Sequence, residues 1–251
     1  MALKASPETQ ATLLELQRLD TKITQLDHRA KTLPQLATIA ATSGEASIIK
    51  SALAERTGIA ENTSLELSRI EADVAVVEAR IARDSERLQS TSSVKDVAAL
   101  EQELSALRKR LNDLEEIELA VMERLETEQL TVAATRSQLA DSEARLTESS
   151  SARDVALADL TAERTSATSA RQSLAAGLPA DLLALYEKQR SRYGTGASLL
   201  RGGVSQASGV ALLEDELQKI RAAEPDDVLL CPSSDAILVR TGESGLERAR
   251  E

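Results

Sequence analysis

Between Asp96 and Leu174 apolar residues recur in alternating steps of three and four. Leu100, Leu104, Leu107, Leu111 and Leu114 are followed on the same register by Val121, Leu125, Val132, Leu139, Leu146, Leu160 and Leu174. Such spacing keeps one stripe of a helix turned towards a partner helix, the signature of a coiled-coil seam. Upstream, Ile39, Ile49, Leu53, Leu67, Ile70, Val74, Val77, Ile81 and Leu88 form a second seam, and Leu13, Leu16, Leu19, Ile23, Leu26 and Leu33 a third, shorter one. Arg56, Asp84, Glu118 and Glu128 interrupt the two long seams, so the pairing is expected to loosen locally.

The two long seams are separated by "LQSTSSVKD", whose Ser and Thr cluster ends one helix. Ser93, three residues before Asp96, gives a capping-box-like start to the next. So short a turn between long helices makes them antiparallel neighbours. A last helix over about 94–176 would span roughly 120 Å, against ~85 Å for a helix from Pro34 to Ser90. The helix over about 7–32 has nearly the length needed to cover the difference. The expectation is therefore that the first two helices run end to end along the third, kinked at Leu33-Pro34, because Pro suits a helix's first turn and disfavours helical geometry just before it. A fold-back into a three-helix bundle is the competing arrangement.

Gly177 and Pro179 punctuate the long helix, and "PADLLALYEKQRSRYG" predicts a short amphipathic helix closed at Gly194. Beyond it the period changes: "VLL" and "AILVR" read as short strands, with "EDELQKIRAA" as a helix between the linker and the first of them. The predicted organisation is a hairpin over 1–176 with its turn near 90–95, a short helix and linker over 177–196, a small α+β module over 197–246, and a tail over 247–251.

Composition agrees with a mainly α chain. Among 251 residues there is no Phe or Trp and only two Tyr, so a large aromatic-filled core is not expected. The net charge of −11 repels nucleic acid and anionic membranes at long range. No run of eighteen apolar residues occurs, and "MALKASPETQATLLELQ" lacks the apolar core of a signal peptide, from which a cytoplasmic location is expected. One cysteine, Cys231, agrees with a reducing compartment.

Two knuckle-like spacings remain to be explained. Ser205 and Ser208 in "SQAS" are answered, 22 residues on, by Cys231 and Ser234 in "CPSS". Two C-x-x-C turns at such a distance place four thiolates around one zinc ion. With "LLELQRLDTKITQLDHRAKTLP", "SVKDVAALEQELSALRKR", "LPADLLALYEKQR", "IRAAEPDDV" and "ILVRTGESGL", these turns make the chain resemble a bacterial family of coiled-coil proteins with a C-terminal four-cysteine zinc ribbon, and its actinobacterial branch most of all. The resemblance implies a helical hairpin carrying a zinc-ribbon-like module, and a non-enzymatic adaptor acting on RNA or on the transcription and gene-expression machinery. It also implies that the family's zinc ligands fall at Ser205, Ser208, Cys231 and Ser234. Serine stays protonated at neutral pH and one thiolate is not a zinc site, so the expectation is a ribbon-like module without metal or other cofactor. Zinc would have contributed on the order of 10 kcal/mol to such a module. Its place would be taken by a miniature core from Val210, Leu212, Leu213, Leu217, Ile220, Val228, Leu229, Leu230, Ile237, Leu238 and Val239.

Lys188, Arg190, Arg192 and Arg201, with Tyr193 among them, form the one candidate nucleic-acid contact. The alternative is a helix C-terminus whose cations suit the macrodipole. No phosphate-loop or hydrolase motif occurs, and His28, the single histidine, offers Cys231 no general base nearby in sequence. The sequence thus predicts no catalytic residue, no small-molecule substrate and no membrane partner. It predicts a protein partner, with RNA or DNA as a further candidate. The rival to the nucleic-acid-linked adaptor is a pure protein-interaction scaffold.

Overall fold

The computed structural model describes residues 3–246; the tail expected over 247–251 lies outside the described residues. Its long helices are α1 (Pro7–Lys31), α2 (Pro34–Ser90) and α3 (Val94–Ala176), followed by α4 (Ala180–Tyr193). Each boundary has a local cause. Ser6 caps α1, its hydroxyl accepting from the Thr9 amide, with Pro7 as the first helical residue. Lys31 is the last, with two residues between it and Pro34, which opens α2. Ser93 caps α3 through the Asp96 amide at 3.4 Å, and Gly194 closes α4 in the left-handed conformation.

The chain forms two compact units, residues 34–152 and residues 1–33 with 153–251. The first is a helical hairpin of α2 and the first part of α3. Its cross-helix partners, Arg80 with Glu103, Arg124 with Glu66 and Arg145 with Glu45, show the antiparallel sense: α2 numbers fall as α3 numbers rise. Leu100, Leu104, Leu114 and Val121 are buried as the heptads require. The rest of the buried set is unusually polar, with Thr42, Thr63, Asp84, Thr135 and Ser142. Of the interruptions read from the sequence, Asp84 is buried and Glu118 and Glu128 are half-buried, while Arg56 is exposed. Arg56 reaches Thr135 Oγ1, while Asp84 keeps Arg87 at 3.5 Å and Arg80 at 3.8 Å. Glu128 Oε2, Asp84 Oδ2 and Ser142 Oγ are buried without a hydrogen-bond partner.

In the second unit α1 packs antiparallel to the last part of α3, with Arg164 on Asp27 and Arg171 on Asp20. It also packs on α4 and on a five-stranded sheet. The strands are β1 (Ala197–Arg201), β2 (Val204–Ser205), β3 (Val210–Ala211), β4 (Leu229–Leu230) and β5 (Ile237–Val239), in the order β3-β2-β1-β5-β4. Helix α5 (Glu214–Ala222) lies between β3 and β4 in sequence. Only the β1–β5 pair is parallel, in the register Ala197↔Ile237. Residues 3–5 close the sheet region: Val228 N donates to Leu3 O at 3.0 Å and Ala5 N to Asp226 O at 2.8 Å. Leu13, Leu16, Leu182, Tyr186, Ala197, Ile237 and Val239 make one core, and Leu200, Leu212, Ile220, Cys231 and Leu238 another.

The expected miniature core needs correction at three places. Val210, Leu213 and Leu230 are 54%, 71% and 40% exposed. Val210 lies on the two-residue edge strand β3, and Leu213 holds the cap position of α5, where its amide donates to Glu216 Oε2. Leu230 lies on the opposite edge strand, β4.

Candidate functional site

The two knuckles have the same backbone form. The turn at Ser205 closes with Gly209 N donating to Ser205 O at 2.8 Å, and that at Cys231 with Asp235 N donating to Cys231 O at 2.9 Å. The residue closing each turn is left-handed, Gly209 at φ 67° and Asp235 at φ 55°. Glycine adopts that conformation at no steric cost, and Asp is among the few other residues that tolerate it.

Side chains of both knuckles converge on one thiol. Cys231 is fully buried; its Sγ lies 3.4 Å from Ser233 Oγ, which is itself 3.4 Å from Ser208 Oγ. Ser205 is also fully buried, its Oγ 3.5 Å from that of Ser198. Burial pushes the Cys231 thiol up, but the hydroxyls of Ser205, Ser233 and Ser234 and the Ser233 amide stabilise the thiolate more, bringing it down to about 7. Ser234 Oγ is buried there without a full hydrogen bond. Ser205, Ser233 and Ser234 therefore lie about the thiol, with Ser208 one hydroxyl further out, and the four knuckle positions offer one soft donor and three neutral hydroxyls. That set does not fit zinc, which takes thiolate, imidazole or carboxylate.

Other contacts fasten this module. Arg240 on the β5 exit donates to the carbonyls of Ile220, Ala223, Glu224, Pro225 and Asp227, at 2.6 to 3.3 Å. One planar guanidinium thereby ties the end of α5 and the whole following loop to the sheet. Glu224, Asp226 and Asp227 form the one acidic triad among the described residues, and Lys4 lies against all three. Sequence reasoning missed both cations; Arg240 could have been suspected only from a long loop with carbonyls to satisfy.

The basic stretch is divided. Arg190 lies 3.3 Å from Asp20 and pairs with Glu187, so it faces α1 and its own helix. Arg201 pairs with Glu243 at 3.1 Å. Arg192 sits 5.3 Å above the Tyr193 ring, and Lys188 has no ion-pair partner among the described residues. Asp20, 5% exposed, is the centre that claims Arg190: it accepts from Arg171 Nε at 2.6 Å and from the Tyr186 hydroxyl at 2.7 Å. Burial, then Asp20, pushes the Tyr186 phenol far above its ordinary value. Gly196 makes this arrangement possible: a Cβ there would fall 2.5 Å from the Tyr186 ring and 2.8 Å from its carbonyl oxygen. His28 and Cys231 do not meet within hydrogen-bonding distance in the described structure.

No helix among the described residues is long and apolar enough to cross a membrane. Residues 16–194 match the CT398-like coiled-coil hairpin domain. The uncharacterised protein Rv2229c of Mycobacterium tuberculosis is 36% identical over 239 residues, covering 95% of this chain and 98% of that protein. A solved structure from Mycobacterium smegmatis is 31% identical, with a TM-score of 0.84 over 95% of this chain and all of that one. CT398 of Chlamydia trachomatis, 17% identical, shares the fold at a TM-score of 0.63 over 93% of this chain and 98% of its own. A hairpin of this length, matched through α4 and shared with those relatives, makes the chain a member of the CT398-like coiled-coil hairpin family.

Proposed function

We propose that the chain is a non-enzymatic cytoplasmic adaptor that works by binding proteins. The observation that carries this reading is a set of exposed apolar side chains beside the seam of the hairpin. Leu119 and Met122 of α3 are 61% and 47% exposed and, with Leu67 of α2, line a groove of about 310 Å³. Leu65, Val76 and Leu130 are similarly exposed on the same unit. A coiled coil does not need leucine there for its own pairing, whereas a partner helix laid along the hairpin does. Direct nucleic-acid binding, and through it action on RNA or the transcription machinery, is the second reading. Its support is reduced by Arg190 and Arg201 each having an acidic partner. The module acts without metal, its knuckles held by hydroxyls and the loop before β4 by Arg240.

The test is affinity capture by the full chain from native lysate, with nuclease, beside the Leu119→Glu/Met122→Glu variant. Partners that survive nuclease and are lost with the variant are the expected result. Partners removed by nuclease, or saturable RNA binding that weakens steeply with salt, would replace this reading with the second. Elemental analysis is expected to find no stoichiometric zinc, and one zinc per chain would overturn the metal-free assignment.

A further inference from the structure

A groove of about 730 Å³ lies between α1 and the start of β1, within the second unit and apart from the hairpin surface above. That volume falls within the ~300–1,000 Å³ of ligand clefts. Its α1 wall is a stripe of Leu14, Arg18, Lys22 and Gln25, and its far wall includes Thr195, Leu199 and Gln206. Among the described residues no carboxylate and no aromatic ring line it, although the chain carries 41 acidic residues. Arg18 meets Glu15 through Nε alone, leaving its terminal nitrogens without a protein partner among the described residues, and Lys22 has only Glu163, at 3.9 Å.

The floor is already ordered. Gln17 Oε1 accepts from Gly196 N at 2.7 Å, and Ala207 N donates to Ser198 Oγ at 2.7 Å. A ligand would therefore meet fixed walls rather than collapse them. Leu14 and Leu199 are half-buried and supply the apolar part.

We propose that this groove binds an extended acidic peptide segment bearing carboxylates at alternate positions and an aliphatic side chain two residues away. The spacing argument is direct. Arg18 and Lys22, one turn apart, are separated by roughly 6 Å along the helix, and Leu14 lies the same distance beyond. Alternate residues of an extended chain repeat at ~6.6 Å on one face. A segment of the form Leu-x-Glu-x-Glu thus sets its leucine against Leu14 and Leu199 and its carboxylates against Arg18 and Lys22. From Leu14 to Gln25 the wall is about 16 Å long, which spans five extended residues. The absence of aromatic rings in the lining leaves nucleobases nothing to stack on, which favours peptide over nucleic acid.

The probe is a fluorescein-labelled peptide with Leu, Glu and Glu at alternate positions separated by serines, titrated against the full chain by anisotropy. Saturable binding is expected, weakening as salt is raised and reduced about tenfold by Arg18→Gln/Lys22→Gln, both exposed positions. The Leu119→Glu/Met122→Glu variant should bind the probe unchanged, which separates this groove from the hairpin surface. Absence of saturable binding, equal binding of a peptide with Lys in place of Glu, or indifference to the charge-removing variant would overturn the proposal. So would a single-stranded RNA of equal charge binding more tightly with the same sensitivity to Arg18 and Lys22.

Discussion

Replacing Asp20 with Asn removes one charge from a site where three elements meet. The carboxylate is 5% exposed and accepts from the Tyr186 hydroxyl and Arg171, with Arg190 at 3.3 Å. Breaking a fully buried ion pair from one side costs about 3–5 kcal/mol, because the remaining charge stays buried without compensation. Here Arg171 and Arg190 are 18% and 37% exposed and both keep Glu187, so the expected cost is smaller, about 2–3 kcal/mol. Tyr186→Phe removes one hydrogen bond to a charged acceptor, worth about 1.5–3 kcal/mol. Because Tyr186→Phe deletes the bond that Asp20→Asn weakens, its acceptor becoming a neutral amide oxygen, the double variant should fall short of the sum by about 1 kcal/mol. The chain provides its own probe: it has no Trp, and both tyrosines lie in the unit that contains Asp20. Tyrosine emission during urea unfolding reports that unit, while helical circular dichroism reports both. The high pKa of Tyr186 adds a pH signature of definite sign. The unfolded phenol ionises near pH 10 while the folded one holds its proton, so stability is full below about pH 10 and falls above it by up to ~1.4 kcal/mol per pH unit. Tyr186→Phe should remove that part of the slope. An Asp20→Asn unfolding midpoint equal to that of the wild type would refute the account of this network.

Four further outcomes follow from the geometry. Gly44→Ala and Gly58→Ala should each stabilise the hairpin by about 0.5–1 kcal/mol, measured by thermal circular dichroism, since an added Cβ meets nothing within 4 Å and gains helix propensity. Asp84→Leu should raise the same transition by about 1 kcal/mol, because a buried carboxylate with one oxygen lacking a hydrogen bond and only exposed arginines at 3.5 and 3.8 Å gives way to an apolar seam residue. Thiolate absorbance near 240 nm should titrate at about pH 7 for Cys231; with the folded pKa below the unfolded one, the thiolate's contribution is present at alkaline pH and lost as pH falls through 7. Arg240→Lys should destabilise the sheet-containing unit by about 2 kcal/mol in the tyrosine-monitored assay, since one ammonium cannot reach five carbonyls.

Periodicity made the helices legible almost to the residue, because heptads report the one face a coiled coil buries and Pro34, Ser93 and Gly194 act within a single turn. It reported nothing of β1, whose "ASLLR" is too short for an alternating pattern, nor of residues 3–5 reaching the loop before β4. Contacts group α1 with the sheet rather than with α2 for the same reason: Leu13 and Leu16 look like seam positions whichever surface covers them. The knuckle spacing did carry a shape, since Ser205 and Cys231 open turns with the same closure. The split of the basic stretch was out of reach, because Asp20, which holds Arg190, lies 170 positions away in sequence.

The second unit is assembled from the two ends of the chain, with residues 34–152 intervening. Viewed from that unit, the hairpin is a long insertion whose two ends are already tied: Pro34 and Ala152 line one groove at its base. An untied loop of that length would carry a closure entropy that grows with the logarithm of its length. In the folded hairpin, the pairing of α2 on α3 brings those two ends together whatever the number of heptads between. Whole heptads added or removed in matched pairs on α2 and α3 would leave that closure, and with it the register of the α1–sheet contacts, as it is.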